Sequence, residues 1–194
     1  AVQNFPISGQ RMPAGFIRAL ALVKSAAARA NADLGLLDAK LAEAIGVAAA
    51  EVAEGRHAAQ FPVDVFQTGS GTSSNMNINE VLAALAKKRL RKSVSPNDHV
   101  NMAQSSNDVV PSAIQVSASL ALRDQLLPAL KALKKTIGKR ADELADVPKT
   151  GRTHLMDAMP LSFGQELGAW AAQLAGARER IEQEAERLRL LPLS

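Results

Sequence analysis

Apolar residues recur along this chain at three- and four-residue steps, and three stretches rich in hydroxyls, amides and glycines interrupt them. That step is the period of one helix face. Pro13 stands where a first turn accepts it, and Phe16, Leu20, Val23 and Ala27 follow, so the spacing predicts a helix over about 13–30. Leu34, Leu37, Leu41, Ala44 and Ile45 predict a second, short helix closed by Gly46, with helix resuming around 49–55. Val81, Leu82 and Leu85 predict a helix that starts near Asn79 or Glu80 and ends in a basic run. Ile114, Ala118, Ala121, Leu122 and Leu126 mark one face of a helix that Asn107 or Asp108 can cap, with Pro111 near its first turn. Pro128 should kink or restart it, and Leu130, Leu133, Ile137, Ala141 and Leu144 carry the pattern to about 146. A last run from near 162 holds Leu167, Trp170, Leu174, Ile181 and Leu188.

These elements predict a mainly α fold, with a small N-terminal domain followed by the first long helices of a bundle rather than an α/β sheet. The expected boundary lies between 90 and 108, giving domains over 1–100 and 101–194. A last helix of that length needs neighbours for its apolar face. A fragment or a partner chain is therefore expected.

Composition removes several classes of chemistry. The chain has 194 residues, 47% of them hydrophobic, enough for a sizeable core. With no cysteine there is no disulfide framework, no thiolate nucleophile and no cysteine-ligated zinc. His57, His99 and His154 fall into no metal-ligand spacing. No run suits a membrane span, and the first residues do not resemble a signal peptide. The formal charge is only +4, and the run Lys87, Lys88, Arg89, Arg91, Lys92 has no interleaved aromatics, so it is read as a solvated helix end rather than a nucleic-acid footprint.

The candidate chemistry lies in the polar stretches 61–79, 93–108 and 148–160. The first offers Thr68, Ser70, Thr72, Ser73, Ser74, Asn75 and Asn77, and the second Ser95, Asn97, Asp98, Asn101, Gln104, Ser105, Ser106 and Asn107. The third offers Lys149, Thr150, Arg152, Thr153, His154 and Asp157. Brought together they would line a pocket for a small carboxylate, with a histidine able to titrate near neutrality. Singly, such residues usually serve turns and caps. His57 reads as a surface histidine and His99 as a structural hydrogen-bonder, which leaves His154 as the strongest catalytic candidate. Gly69-Ser70-Gly71-Thr72 fits neither a P-loop nor the dinucleotide fingerprint, since Ser74 occupies the third glycine position.

Three ordered segments then carry a family resemblance. QTGSGTSSNMNINEV (67–81), PNDHVNMAQSSND (96–108) and GRTHLMDAMPLSFGQE (151–166), with FPISGQRMP (5–13), resemble the class II fumarase branch of the fumarase/aspartase superfamily. Thr153-His154 stands where aspartases typically have Thr-Gln, and Ser105-Ser106 where they tend to have Ser-Thr. The resemblance implies a homotetramer around a twenty-helix central bundle, located in the cytoplasm, or in the mitochondrion of a eukaryote. Each active site would take side chains from three subunits and need neither metal nor organic cofactor. The implied reaction is the reversible anti addition of water to fumarate, giving (S)-malate. By position, Ser70 and Thr72 would bind a substrate carboxylate, and Ser105, Ser106 and Asn107 would contact substrate. Thr153 would position it, and His154 would handle its water end, oriented by a glutamate from another subunit. Asn97 and Asp98 would belong to a secondary anion site, weakened here because Ser95 replaces the histidine that many fumarases carry. The family's flexible loop, with its serine base and substrate-binding lysine, has no counterpart in 1–194, nor does the glutamate that pairs with His154. The isolated chain is therefore expected to be inactive. Competing readings are an ammonia lyase of the same superfamily, a non-catalytic helical assembly module and, least supported, a nucleic-acid-binding module.

Overall fold

The computed structural model describes residues 1–192. These form two compact units, one over Ala1–Ala118 (with Leu191 and Pro192) and one over Ser119–Leu190. Both are dominated by helix, as expected of a mainly α chain.

The first unit holds α1 (Ala14–Asp33), α2 (Ala39–Ala53), α3 (Thr72–Leu90) and most of α4 (Ser106–Ala121). Pro13 precedes α1, and the Asp38 carboxylate caps α2 by accepting from the Leu41 N–H at 3.0 Å. In place of the two expected pieces, α2 runs unbroken through Gly46. Its alanine-rich surroundings absorb the roughly 1 kcal/mol that a mid-helix glycine costs. Helix α3 starts about two turns ahead of the expected Asn79. Serine and asparagine are weak helix formers because they compete with the backbone for hydrogen bonds. Here Ser74 and Asn75 are buried and bonded to side chains beyond their own helix, which removes that competition. The core is formed by Phe16, Leu20, Leu41, Ile45, Ile78, Leu82 and Val109 with many alanines, which allow the helices to approach closely.

Helix α4 starts at Ser106, just before the expected cap, and Pro111 lies inside it. Its buried residues are Val109, Ser112 and Ala113, while Ile114, expected on the apolar face, is exposed. A π-turn over Leu122–Leu126 follows, and α5 (Leu127–Glu143) restarts with Pro128 in its first turn. Proline has no N–H and its ring crowds the carbonyl four residues back, so the helical ladder widens ahead of it.

The second unit departs most from expectation. Residues 148–160 are not a loop between helices; strands β1 (Pro148–Thr153) and β2 (Met156–Ser162) form an antiparallel hairpin. Thr153 pairs with Met156, leaving a two-residue turn of His154 and Leu155. Both turn residues have positive φ, 49° and 61°, as the commonest tight hairpin turn requires. The hairpin has a bulge around Gly151, where an added Cβ would lie 2.4 Å from the Met159 carbonyl oxygen, so only glycine fits. Strand β2 leads into α6 (Phe163–Arg187) through a reciprocal cap. The Ser162 hydroxyl accepts from the Gln165 N–H, and the Gln165 side chain accepts from the Ser162 N–H. No apolar side chain of α5 or α6 is buried among the described residues.

Candidate active site

The first and second polar segments meet in the first unit. Gly71, with φ of 69°, is the N-cap of α3, and an added Cβ would lie 2.9 Å from Val110 Cγ1 of α4. The Gln67 side chain closes the α3 start: its Oε1 accepts from the Ser74 N–H at 2.9 Å, and its amide donates to Ser74 Oγ and the Asp64 carbonyl. The hydroxyls of Ser70 and Thr72 are hydrogen-bonded to each other at 2.7 Å, Ser70 exposed and Thr72 half-buried. They stand at the positive end of the helix dipole.

Helix α4 begins in a matching way. The Ser105 Oγ accepts from the Asn107 N–H at 3.2 Å, and its carbonyl from the N–H groups of Asp108 and Val109. Asn75, in the first turn of α3, donates to Ser106 Oγ at 2.9 Å. The Asn75–Ser106 bond thus ties the starts of the two helices together, with Ser105 and Asn107 exposed and Ser106 half-buried. Clustered hydroxyl and amide donors at such ends suit an anion.

A polar cluster underlies this arrangement. Lys24, fully buried on α1, donates to Asn101 Oδ1 at 2.8 Å and to Gln104 Oε1 at 3.0 Å. Burial pushes its ammonium pKa down to about 7. Asn75 and Asn79 also donate to Asn101 Oδ1. The sequence reading noted the amides but missed the lysine. Leu20, Lys24, Ala28 and Asn31 follow one another at three- and four-residue steps, and that spacing on a buried face was the available signal.

Asn97 and Asp98 are exposed on a π-turn over Pro96–Val100. Ser95 caps this turn, its Oγ accepting from the Asp98 N–H and donating to the Asp98 carboxylate at 2.8 Å. His99 Nδ1 accepts from the Ser95 N–H at 2.9 Å, a structural bond of the kind expected of it. His57 pairs with Glu51, which also binds Arg89, and this holds the Glu51 carboxyl below its usual range.

Thr153 and His154 belong to the second unit, both exposed at the hairpin tip. At the hairpin base, Lys149 pairs with Glu166 at 2.6 Å. The rest of the tip and the strand after it carry strongly exposed apolar side chains: Leu155, Met156 and, further along, Met159.

A family model described as "Lyase" matches residues 1–194. The chain belongs to the lyase family. The chain is 60% identical over 193 residues to "Fumarate hydratase class II" of Xylella fastidiosa, a match covering 100% of the chain and 41% of that relative. It is 57% identical over 182 residues to "Fumarate hydratase class II 2" of Pseudomonas aeruginosa, covering 94% of the chain and 40% of that relative. The crystal structure of class II fumarase from Schistosoma mansoni superposes with a TM-score of 0.94 at 39% identity, over 98% of the chain and 41% of the fumarase. The chain thus spans about two fifths of the length of the curated relatives it matches, corresponding to their N-terminal portion. None of its helices is long and apolar enough to cross a membrane, among the described residues.

Proposed function

We propose that the whole protein containing this chain hydrates fumarate reversibly to (S)-malate. The carrying observation is the junction of the first turns of α3 and α4 through the Asn75–Ser106 bond, which gathers the hydroxyls of Ser70, Thr72, Ser105 and Ser106 at two helix N-termini. The names of the close relatives support the same reading.

In the malate-to-fumarate direction, a base takes the proton from the carbon beside one carboxylate. The electron pair moves into that carboxylate, giving an aci-form dianion. Hydroxyl and amide donors that hold this dianion more tightly than the ground state lower the barrier. The electrons then form the double bond as the C–O bond on the neighbouring carbon breaks, and the departing hydroxide leaves as water after protonation. In this reading Ser70 and Thr72 bind a carboxylate, and Ser105, Ser106 and Asn107 contact the substrate. Thr153 positions it, and His154 exchanges the proton with the leaving hydroxide. Asn97 and Asp98 form a secondary anion site.

The base and the glutamate partner of His154 have no motif within 1–194, so the segment alone is inactive in this proposal. The working form is a homotetramer in the cytoplasm, or the mitochondrion of a eukaryote, with residues 1–100 as its N-terminal domain and 101–194 as the start of the bundle. The intact protein should consume fumarate, followed by the loss of its ultraviolet absorbance, and the 194-residue chain should not. An intact protein that releases ammonia from aspartate and leaves fumarate unhydrated would overturn the proposal.

A further inference from the structure

The burial of Lys24 is not explained by packing. No carboxylate lies within ion-pair distance of it among the described residues, and only the amide oxygens of Asn101 and Gln104 accept its protons. A lone buried ammonium is costly, and an apolar side chain of similar length would fill the same space more favourably. What the ammonium gains is a hold on one loop. Asn101 donates onward to the Gln104 carbonyl at 3.0 Å, and Gln104 donates to the carbonyls of Val100 and Met102. Between these amides lies Ala103, with φ of 55°, a conformation that an alanine adopts only when its surroundings hold it there. The next residue after this staple is Ser105, which caps α4.

We infer that Lys24 is a positioning residue for the proposed reaction: from α1 it clamps the 101–104 loop and thereby sets where Ser105, Ser106 and Asn107 stand against α3. It touches no substrate and acts through Asn101 and Gln104. The inference rests on the proposed site, but its first readout does not require substrate.

The test uses the intact protein. Lys24→Met keeps most of the length of the side chain and removes its charge. Amide exchange over 101–107 is expected to quicken about tenfold or more, with exchange in the cores of α1 and α2 unchanged. For fumarate, kcat/KM is expected to fall about 10- to 100-fold, the scale of a small misplacement of binding groups, without a lowered thermal midpoint. Placed on Ser106→Ala, Lys24→Met should cost less than it does alone, because both act through the same loop. Should Lys24→Met fail to fold, Gln104→Leu carries the same test with the lysine retained. Unchanged exchange at 101–107, kcat/KM within about twofold of the unsubstituted protein, or strict additivity with Ser106→Ala each overturns the inference. If the unsubstituted protein leaves fumarate unhydrated while Lys24→Met still quickens exchange over 101–107, the proposed function is overturned and the clamp is not, so the two failures are distinguishable.

Discussion

The two units of this chain are built on opposite terms. In the first, Leu20, Ile45, Ile78 and Leu82 are completely enclosed, and buried polar groups such as Lys24 and Asn75 find partners on other elements. In the second, α5 and α6 pair with each other and the hairpin closes on itself, yet Trp170, Leu133 and Met159 are about half exposed or more. Helices of similar length and comparable apolar spacing thus end in different states of burial. Amphipathic patterning states which face seeks cover, and the number of surrounding elements determines whether cover is found. Among the described residues, the second unit encloses no apolar side chain, whereas the first has a continuous core.

Truncating the core separates the units most sharply. Leu82→Ala should destabilise the 194-residue chain by about 2–5 kcal/mol. Leu133→Ala, on the exposed side of α5, should cost less than about 1 kcal/mol. Urea denaturation of both variants checks this, and equal losses would mean that the second unit has a core of its own. Next comes Gly151→Ala, whose Cβ would collide with the Met159 carbonyl and lie 2.9 Å from Leu161 Cδ2. The hairpin must open to admit it, which moves the tip bearing Thr153 and His154. In the intact protein kcat should fall by as much as about 100-fold with a small change in thermal midpoint, measured by steady-state kinetics.

Trp170, the only tryptophan, reports on the second unit directly. Half exposed here, it should be readily quenched by acrylamide in the 194-residue chain and protected in the intact protein. The smallest effect belongs to the first unit. Burial alone would raise the Asp64 pKa, but hydrogen bonds from the N–H groups of Phe66, Ser8 and Gly9 and from the Ser8 hydroxyl outweigh it and hold the pKa at about 2, against an ordinary 3.8. A depressed carboxyl pKa stabilises the fold above the ordinary value, and that stabilisation is lost as pH falls through 3.8 toward 2. The stability gap between the unsubstituted chain and Asp64→Asn should therefore close over that range in acid titrations followed by circular dichroism.

Much of the helical layout was legible in the sequence because tertiary context agrees with local preference there. Pro13, Pro128 and the basic run at the end of α3 mark boundaries through backbone chemistry that needs no neighbour. The start of α3 was not legible, because serine and asparagine disfavour helix interiors until other elements take up their side chains. The hairpin was missed for two reasons. Its turn is His154-Leu155 rather than an Asn-Gly pair, and its strands are mostly exposed, the one buried position of β1 being Gly151, so no apolar side chains alternate with polar ones to mark a half-buried strand.

The helical class, the order of the three polar segments and the family resemblance they carry reside in residue type and spacing, and so can be read without coordinates. That Asn75 reaches Ser106 and that Lys24 bonds to Asn101, contacts between residues 31 and 77 positions apart, follows from helix packing alone. A chain's local pattern fixes which groups seek partners, but which distant group answers depends on how the helices pack.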